Sequence, residues 1–469
     1  MTSRKLIVLT ALVIALFAFV FLFERKMPTT AERAQKGDLV WEIPEEKVES
    51  LRLERPSGVV ELARSGEKTW RLVKPDAYPA DGFAASDVVS QLARLRRTGG
   101  DSSEAKPEYY GLKTPSAKAT IVWKDDTKPG KTLSRTLEFG IEIPGTDATA
   151  ARATGASSVL FVPTTLASAV KKGADEFKSK EVFGSVASDM ARLDVDRGRG
   201  RLSLAKKDGT WWLRQPFSDL ADGDAVDKLI GALTALRVID FLPSPQGQGL
   251  ASLGLAPPLF HVVLADAKGS GVSVDFGATR SDGNSVYGRR ENQVFTVTST
   301  IGEDLSKEAE AFREPRLVRF DRGAVTGIEG VFSRSKFSLE RKQEGWTLAG
   351  KSLMAPSVDD LLTALLDVKS KSFGDDARAK ALAAGQPAAT ITVRISSGTQ
   401  PAPWVLKLYP SGAQSEATVS ARPGSFTLAG DVVSALESAF QKAATPPTVP
   451  PAATPAAPSS PPKPPPPKK

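Results

Sequence analysis

The sequence predicts an α+β protein made of three tandem repeats of a mostly antiparallel sheet with helices packed on one face, after one N-terminal transmembrane helix. Three observations predict it. A strand-like phrase centred on tryptophan recurs three times, an apolar helical stripe follows it each time, and an unbroken apolar run stands near the start of the chain.

The tryptophan phrases are KTWRLVKP, GTWWLRQP and EGWTLAGK, around Trp70, Trp211 and Trp346, spaced by the length of a whole domain rather than of a solenoid repeat. Upstream of each, VESLRLERPSGVVELAR, MARLDVDRGRGRLSLAK and VTGIEGVFSRSKFSLER alternate apolar and polar residues about a Gly or Ser break, the pattern of an antiparallel hairpin. Downstream, Val88, Leu92 and Leu95 match Leu229, Leu233 and Leu236 and then Leu361, Leu365 and Val368. This i, i+4, i+7 stripe buries one helix face. Asp81-Gly82 and Asp222-Gly223 read as the turn and cap before that helix.

Next come YGLKTPSAKATIVW, LGLAPPLFHVVL and AGQPAATITVRI, a turn into a strand marked by Gly111 with Gly254 and by Pro115, Pro258 and Pro387. TLEFG, SVDFG and KLYPSG place Phe139, Phe276 and Tyr409 at equivalent strand positions. VLFVPTTL, QVFTVTST and GSFTLAGD supply a further strand and the start of a short helix. Two copies close with EFKSKEVF and AFREPRLV, centred on Phe177 and Phe312, while the third runs into TPPTVPPAATPAAPSSPPKPPPPKK, a polyproline II-prone tail that reads as a spacer or a ligand for a proline-binding groove. The expected boundaries are 1–5 cytoplasmic head, 6–23 transmembrane helix, 24–46 linker, 47–184, 185–319 and 320–443 for the repeats, and 444–469 for the tail.

Residues 6–23, LIVLTALVIALFAFVFLF, with Thr10 the only polar one, would span about 27 Å as a helix against a hydrocarbon layer of about 30 Å. Glu24, Arg25 and Lys26 follow at once, where a signal peptide would show small residues for cleavage, so an uncleaved anchor is expected. Lysine and arginine flank both ends and do not fix orientation. A five-residue head is easily left in the cytoplasm, which places the bulk of the chain on the outer side of the membrane.

Sixty-two Lys and Arg against 54 Asp and Glu leave a net charge of +8 that is interspersed along the chain, which argues against a nucleic-acid partner. The absence of cysteine excludes disulfides, thiolate metal sites and Cys nucleophiles, and zinc sites, haem sites and His-based triads mostly need more histidine than the one present. His261, in LFHVVL, corresponds in position to Lys118 and Ala389 or their neighbours in the other copies, so it is not part of the shared plan and reads as structural or surface. Asp219, Asp222, Asp224 and Asp227 invite a calcium reading, but their spacing misses the EF-hand loop and two of them fall in the turn and cap. GQGLASLG, Gly247 to Gly254, opens like a nucleotide loop without the following helix pattern. Trp123, Trp211, Trp212 and Trp404 are candidates for a sugar-stacking surface, and alternation along strands favours core positions instead. No catalytic, cofactor-binding or metal residue is expected, and the chain reads as a protein that is not an enzyme.

The helix DAVDKLIGALTALR, then SLGLAPP, VDFG, VYGRR, VFTV and AFREPRLV, resembles the domain of unknown function 4340 family. The second copy, Met190 to Val318, carries most of the likeness, and the third lacks the GLxPP phrase and the closing segment. Members of that family are usually membrane-anchored bacterial proteins found beside or fused to auxiliary parts of gliding-motility-type ABC transport systems, and the resemblance brings no catalytic residues with it. It implies a non-enzymatic extracytoplasmic scaffold or accessory of an ABC-type transport complex, whose partners are the bilayer and permease or ATPase subunits. The alternative is a module that binds cell-wall glycan or another polymer.

Overall fold

A computed structural model describes residues 39–102, 106–184, 190–243, 249–343, 345–396, 403–420 and 422–445. The expected transmembrane helix and the tail beyond Thr445 lie outside these residues. Among the described residues no helix is long and apolar enough to cross a membrane.

Three sheets of nine strands share one strand order. In the first the strands are β1 (Val48–Arg55), β2 (Gly58–Arg64), β3 (Trp70–Lys74), β4 (Tyr78–Pro79), β5 (Gly99–Ser102), β6 (Ala117–Lys124), β7 (Thr132–Glu142), β8 (Ala148–Ala153) and β9 (Val159–Pro163). Their order is β4-β3-β2-β1-β6-β7-β8-β9-β5, with antiparallel pairing throughout. The second has β10 (Met190–Asp196), β11 (Arg201–Lys207), β12 (Thr210–Gln215), β13 (Asp219–Leu220), β14 (Phe241–Leu242), β15 (Phe260–Asp266), β16 (Gly271–Thr279), β17 (Ser285–Arg290) and β18 (Gln293–Thr298). The third has β19 (Val325–Phe332), β20 (Lys336–Lys342), β21 (Gly345–Leu348), β22 (Lys351–Ser352), β23 (Ser372–Gly374), β24 (Ala389–Ile395), β25 (Trp404–Ser411), β26 (Gln414–Val419) and β27 (Ser425–Ala429), in the order β22-β21-β20-β19-β24-β25-β26-β27-β23.

The chain divides into two compact units: the described residues among 1–188, 231–264 and 271–305, and those among 189–230, 265–270 and 306–469. The first sheet lies in the former and the third in the latter. Of the middle strands, β10–β13 belong to the second unit, and β14 and β16–β18 to the first.

Period-two alternation gives each sheet a dry and a wet face. Leu51 and Leu53 of β1 point inward, as do Leu62 of β2 and Ala119 and Ile121 of β6, and all five are buried in one cluster. Between them Arg52 and Glu54 point outward and bind each other, and Arg52 also reaches Glu61. The helix α1 (Gly82–Ala93) lays Val88, Val89 and Leu92 on the dry face, beside Leu166 and Val170 of α2 (Thr164–Lys171). In the third copy α3 (Ala355–Leu366) and α4 (Val432–Ala444) do the same with Val358, Leu361, Leu365, Leu436 and Phe440. All nine positions of the sequence stripe are buried, from Val88 at 0% to Val368 at 8% exposed, but Leu95, Leu236 and Val368 lie just past the ends of their helices and not on the helix face.

Asp81 caps α1 as expected, its Oδ1 accepting from the amides of Phe83 (2.9 Å) and Ala84 (3.1 Å). Asp222 accepts in the same way from Asp224 (3.1 Å) and Ala225 (3.5 Å). The third copy has Met354 there and no side-chain cap.

One expected equivalence shifts by a residue. Ala117 faces Phe139 across β6 and β7, and its counterpart Ala389 faces Leu408 across β24 and β25, so Leu408 rather than Tyr409 stands in the place of Phe139. Tyr409 matches Gly140. The reason is local: Gly111 (φ +70°) and Gly254 (φ +67°) make left-handed turns that press the carbonyls of Tyr110 and Leu253 onto Gly140 and Gly277, where a Cβ would collide. The third copy lacks that turn and tolerates a tyrosine.

The segment before each first strand hydrogen-bonds to residues after the central helix. Val40 donates to Leu95 O (2.8 Å), Val238 to Lys180 O (2.8 Å), and Ser370 to Pro315 O (2.8 Å). The segments that close copies one and two also pair backward with the edges of those sheets. Asp81 N donates to Phe177 O (2.8 Å) and Ser179 N to Pro79 O (2.9 Å), while Asp222 N donates to Phe312 O (2.9 Å) and Glu314 N to Leu220 O (3.0 Å).

Candidate functional site

The buried polar groups concentrate where those closing segments meet the edge strands β4 and β13. In each closing segment a buried phenylalanine, Phe177 or Phe312, is followed by a buried cation, Lys178 or Arg313. Strand alternation sends the two side chains to opposite faces, so the cation enters the niche flanked by the aromatic residues of the last strands.

In the first unit Lys178 Nζ donates to Asp175 Oδ1 (2.6 Å) and to Gln293 Oε1 (2.6 Å) and lies 5.1 Å from the centre of the Phe241 ring. The Tyr78 ring meets Phe241 edge-on at 5.6 Å, and the Arg290 guanidinium lies 5.9 Å from the Tyr78 ring. Arg290 donates to Val182 O (2.8 Å), tying β17 to the closing segment. Burial pushes the Tyr78 phenol up to about 12, against the pull of Arg290, and burial also lowers the guanidinium of Arg290.

In the second unit the niche holds one acid between two arginines. Arg313 Nε donates to Asp219 Oδ2 (2.8 Å), and Arg422 donates to both oxygens of the same carboxylate. Arg313 stacks over Phe373 (4.3 Å) and Phe217 (4.9 Å), and Arg422 over Phe426 (4.7 Å). The remaining donors find backbone carbonyls: Arg313 reaches Pro423, and Arg422 reaches Glu314 and Arg316. Burial lowers the Arg313 guanidinium although Asp219 opposes that shift. Both guanidinium groups share the one carboxylate and complete their bonding on backbone carbonyls, which makes the cluster a fastening between strands.

The other sequence candidates separate. Of the four aspartates, Asp219 holds this cluster, Asp222 caps the helix and Asp227 accepts from Trp211 Nε1 (3.1 Å). Among the described residues no group of three or more His, Cys, Asp or Glu side chains could hold a metal ion. Of GQGLASLG, Gly247 and Gln248 lie outside the described residues, Gly249–Ser252 is a single helical turn and Gly254 is the left-handed turn described above. Trp211 and Trp404 are buried at 4% and 2% exposed, and Trp123 and Trp212 pack against core clusters, so the four do not present a stacking surface.

His261 has a partner the sequence did not reveal. Its Nδ1 lies 2.6 Å from Asp275 Oδ1, and Arg289 donates to the other oxygen of Asp275 (2.7 Å). The first copy has the same ladder on its wet face, Lys118 to Glu138 (3.0 Å) to Arg152 (2.7 Å), and the third replaces it with Thr390, Lys407 and Thr418 at matching register. His261 therefore occupies a cation slot beside a carboxylate, in a row exposed to solvent.

Lys178 and Arg313 escaped sequence reading because the flanking phenylalanines dominated those phrases. Their signal was present: a basic residue follows Phe in both. Arg422 had none: it lies in a hairpin loop whose first-copy counterpart, of equal length, carries Ala156 at the matching position.

A family model described as Domain of unknown function (DUF4340) matches residues 70–249 and again 221–387, together more than half of the chain. The chain belongs to that family. Both matches of the DUF4340 model take in the second copy, in keeping with the motifs it carries. No curated protein matches the chain. Among solved structures, a DNA polymerase sliding clamp from Pseudomonas aeruginosa is similar at 7% identity over 85% of this chain and 95% of that one, with a TM-score of 0.13. A putative DNA polymerase III beta subunit from Eubacterium rectale is similar at 9% identity over 83% and 93%, with a TM-score of 0.15. Likeness at that level carries no argument about fold or function.

Proposed function

We propose that this DUF4340 chain is a non-enzymatic scaffold, held in the bacterial cytoplasmic membrane by residues 6–23, that presents three modules in the periplasm as an accessory of an ABC-type transport complex. The observation that carries the scaffold reading is the single strand order repeated three times, with its shared residues in cores and turns and each buried acid held by basic side chains. An apolar run of eighteen residues supports the anchor, and the family resemblance supports the transport partner.

The test is capture of the full-length protein from membranes solubilised in mild detergent, followed by identification of what accompanies it. Recovery of permease or ATPase subunits is the expected result. Capture of the intact chain with no stable companion would remove the transport part of the proposal, and recovery in the soluble fraction would remove the anchor.

A further inference from the structure

The three sheets differ at one edge. In copies one and two the edge strands β4 and β13 are covered by the closing segments, so Tyr78 is 0% and Asp219 2% exposed. Copy three has no closing phrase. Leu72 faces Tyr78 and Leu348 faces Lys351, which makes Lys351 and Ser352 the counterparts of Tyr78 and Pro79, and Met354 the counterpart of Asp81. Lys351 and Ser352 are exposed and Met354 is 46% exposed. Where Pro79 O and Asp81 N bond to Ser179 and Phe177, Ser352 O and Met354 N have no partner among the described residues.

We propose that the open edge Lys351–Met354 is a docking site for an extended segment of a separate polypeptide, which adds as an antiparallel strand and carries an aromatic residue followed by an acidic one. The two internal copies supply the template, because each fills this slot with a buried phenylalanine and pairs through the carbonyl of that residue and the amide two positions on. Charge fixes the next residue. Asp219 of copy two is met by Arg313, and copy three places Lys351 where Asp219 stands, so the complementary side chain there is a carboxylate. The tail of this chain, residues 445–469, contains no aromatic residue, and a second copy has already used its closing segments within its own sheets. The inference rests on comparison of the three sheets and stands apart from the transport assignment.

Fluorescence anisotropy of labelled peptides with the full-length protein in detergent tests it. The peptide AEAFEEPRLV, which is residues 309–318 with R313E, should bind saturably and about threefold to tenfold more tightly than AEAFREPRLV. The surface variant Lys351→Asp should reverse that order. N-methylation at the residue matching Glu314, which removes the pairing amide, should abolish binding to either protein. Absence of saturable binding, or binding indifferent to both the charge swap and the N-methyl group, would overturn the proposal. Self-association of the unliganded protein that Lys351→Asp abolishes would overturn it in favour of a second copy of the chain.

Discussion

Asp219 and Arg422, 203 residues apart in sequence, meet as a two-point ion pair, with Nε 2.8 Å from Oδ1 and Nη2 3.0 Å from Oδ2. Arg313 adds a third hydrogen bond to the same carboxylate, so one aspartate is shared by two guanidinium groups in an aromatic niche. Replacing Asp219 by alanine leaves both arginines buried without their acid, and the expected loss is about 3–5 kcal/mol of folding free energy. Urea denaturation followed by tryptophan fluorescence measures it, and a loss under about 1 kcal/mol would mean that water already reaches the site.

Glu138 sits at the centre of the first copy's wet-face ladder with its side chain 8% exposed. Burial pushes its carboxyl up, but hydrogen bonds from Arg152 and Lys118 outweigh that and hold it below its ordinary value. A folded value below the unfolded one means the contribution is complete above about pH 4.5 and is lost as pH falls through the folded value. Glu138→Gln is expected to cost about 1–3 kcal/mol at pH 7 and to flatten the acid limb of a stability against pH curve. An unchanged acid limb would show that other carboxylates set it.

The Tyr78 hydroxyl is buried and has no hydrogen-bond partner among the described residues. Tyr78→Phe should therefore raise stability, by about 1 kcal/mol, because the phenylalanine keeps the ring contact with Phe241 and removes an unsatisfied polar atom. In the unaltered protein one phenol should resist ionisation until about pH 12 in an absorbance titration. The raised folded value means this site contributes fully below about pH 10 and loses its contribution as pH climbs toward 12. A Tyr78→Phe protein that still shows the late phenol would refute the assignment.

His261 takes the place of Lys118 in the ladder, so His261→Lys should fold with stability within about 0.5 kcal/mol of the parent. His261→Glu sets like charges side by side with Asp275 and should cost about 0.5–1 kcal/mol, less at high salt. Thermal unfolding at two salt concentrations separates this electrostatic cost from a packing one.

The parts of this fold that were legible in the sequence are those governed by short-range rules. The burial of Val88, Leu92 and their counterparts follows from helical period, the Asp81 and Asp222 caps from the free amides of a first helical turn, and the hairpins from period two, whereas Leu95, Leu236 and Val368 are buried beyond the helix ends. The Tyr409 assignment failed because one residue of register decides which face a side chain takes, and the loss of a turn elsewhere had already changed what the position could hold. The other two misses have different reasons: the partner of His261 lies on the very next strand and depends on cross-strand register, while the niche of Arg313 joins residues 94 apart, which no spacing rule encodes.

The crowding of Tyr110 against Gly140 and of Leu253 against Gly277 bears on how such modules diverge. The bare backbone in one strand is a recess cut to the shape of the bend that rests in it, so the Gly-Leu and Phe-Gly phrases behave as a single unit of inheritance. A descendant that gains a side chain at the recess must first abandon the bend, and the third copy, with Tyr409 and no bend, shows the end of that route.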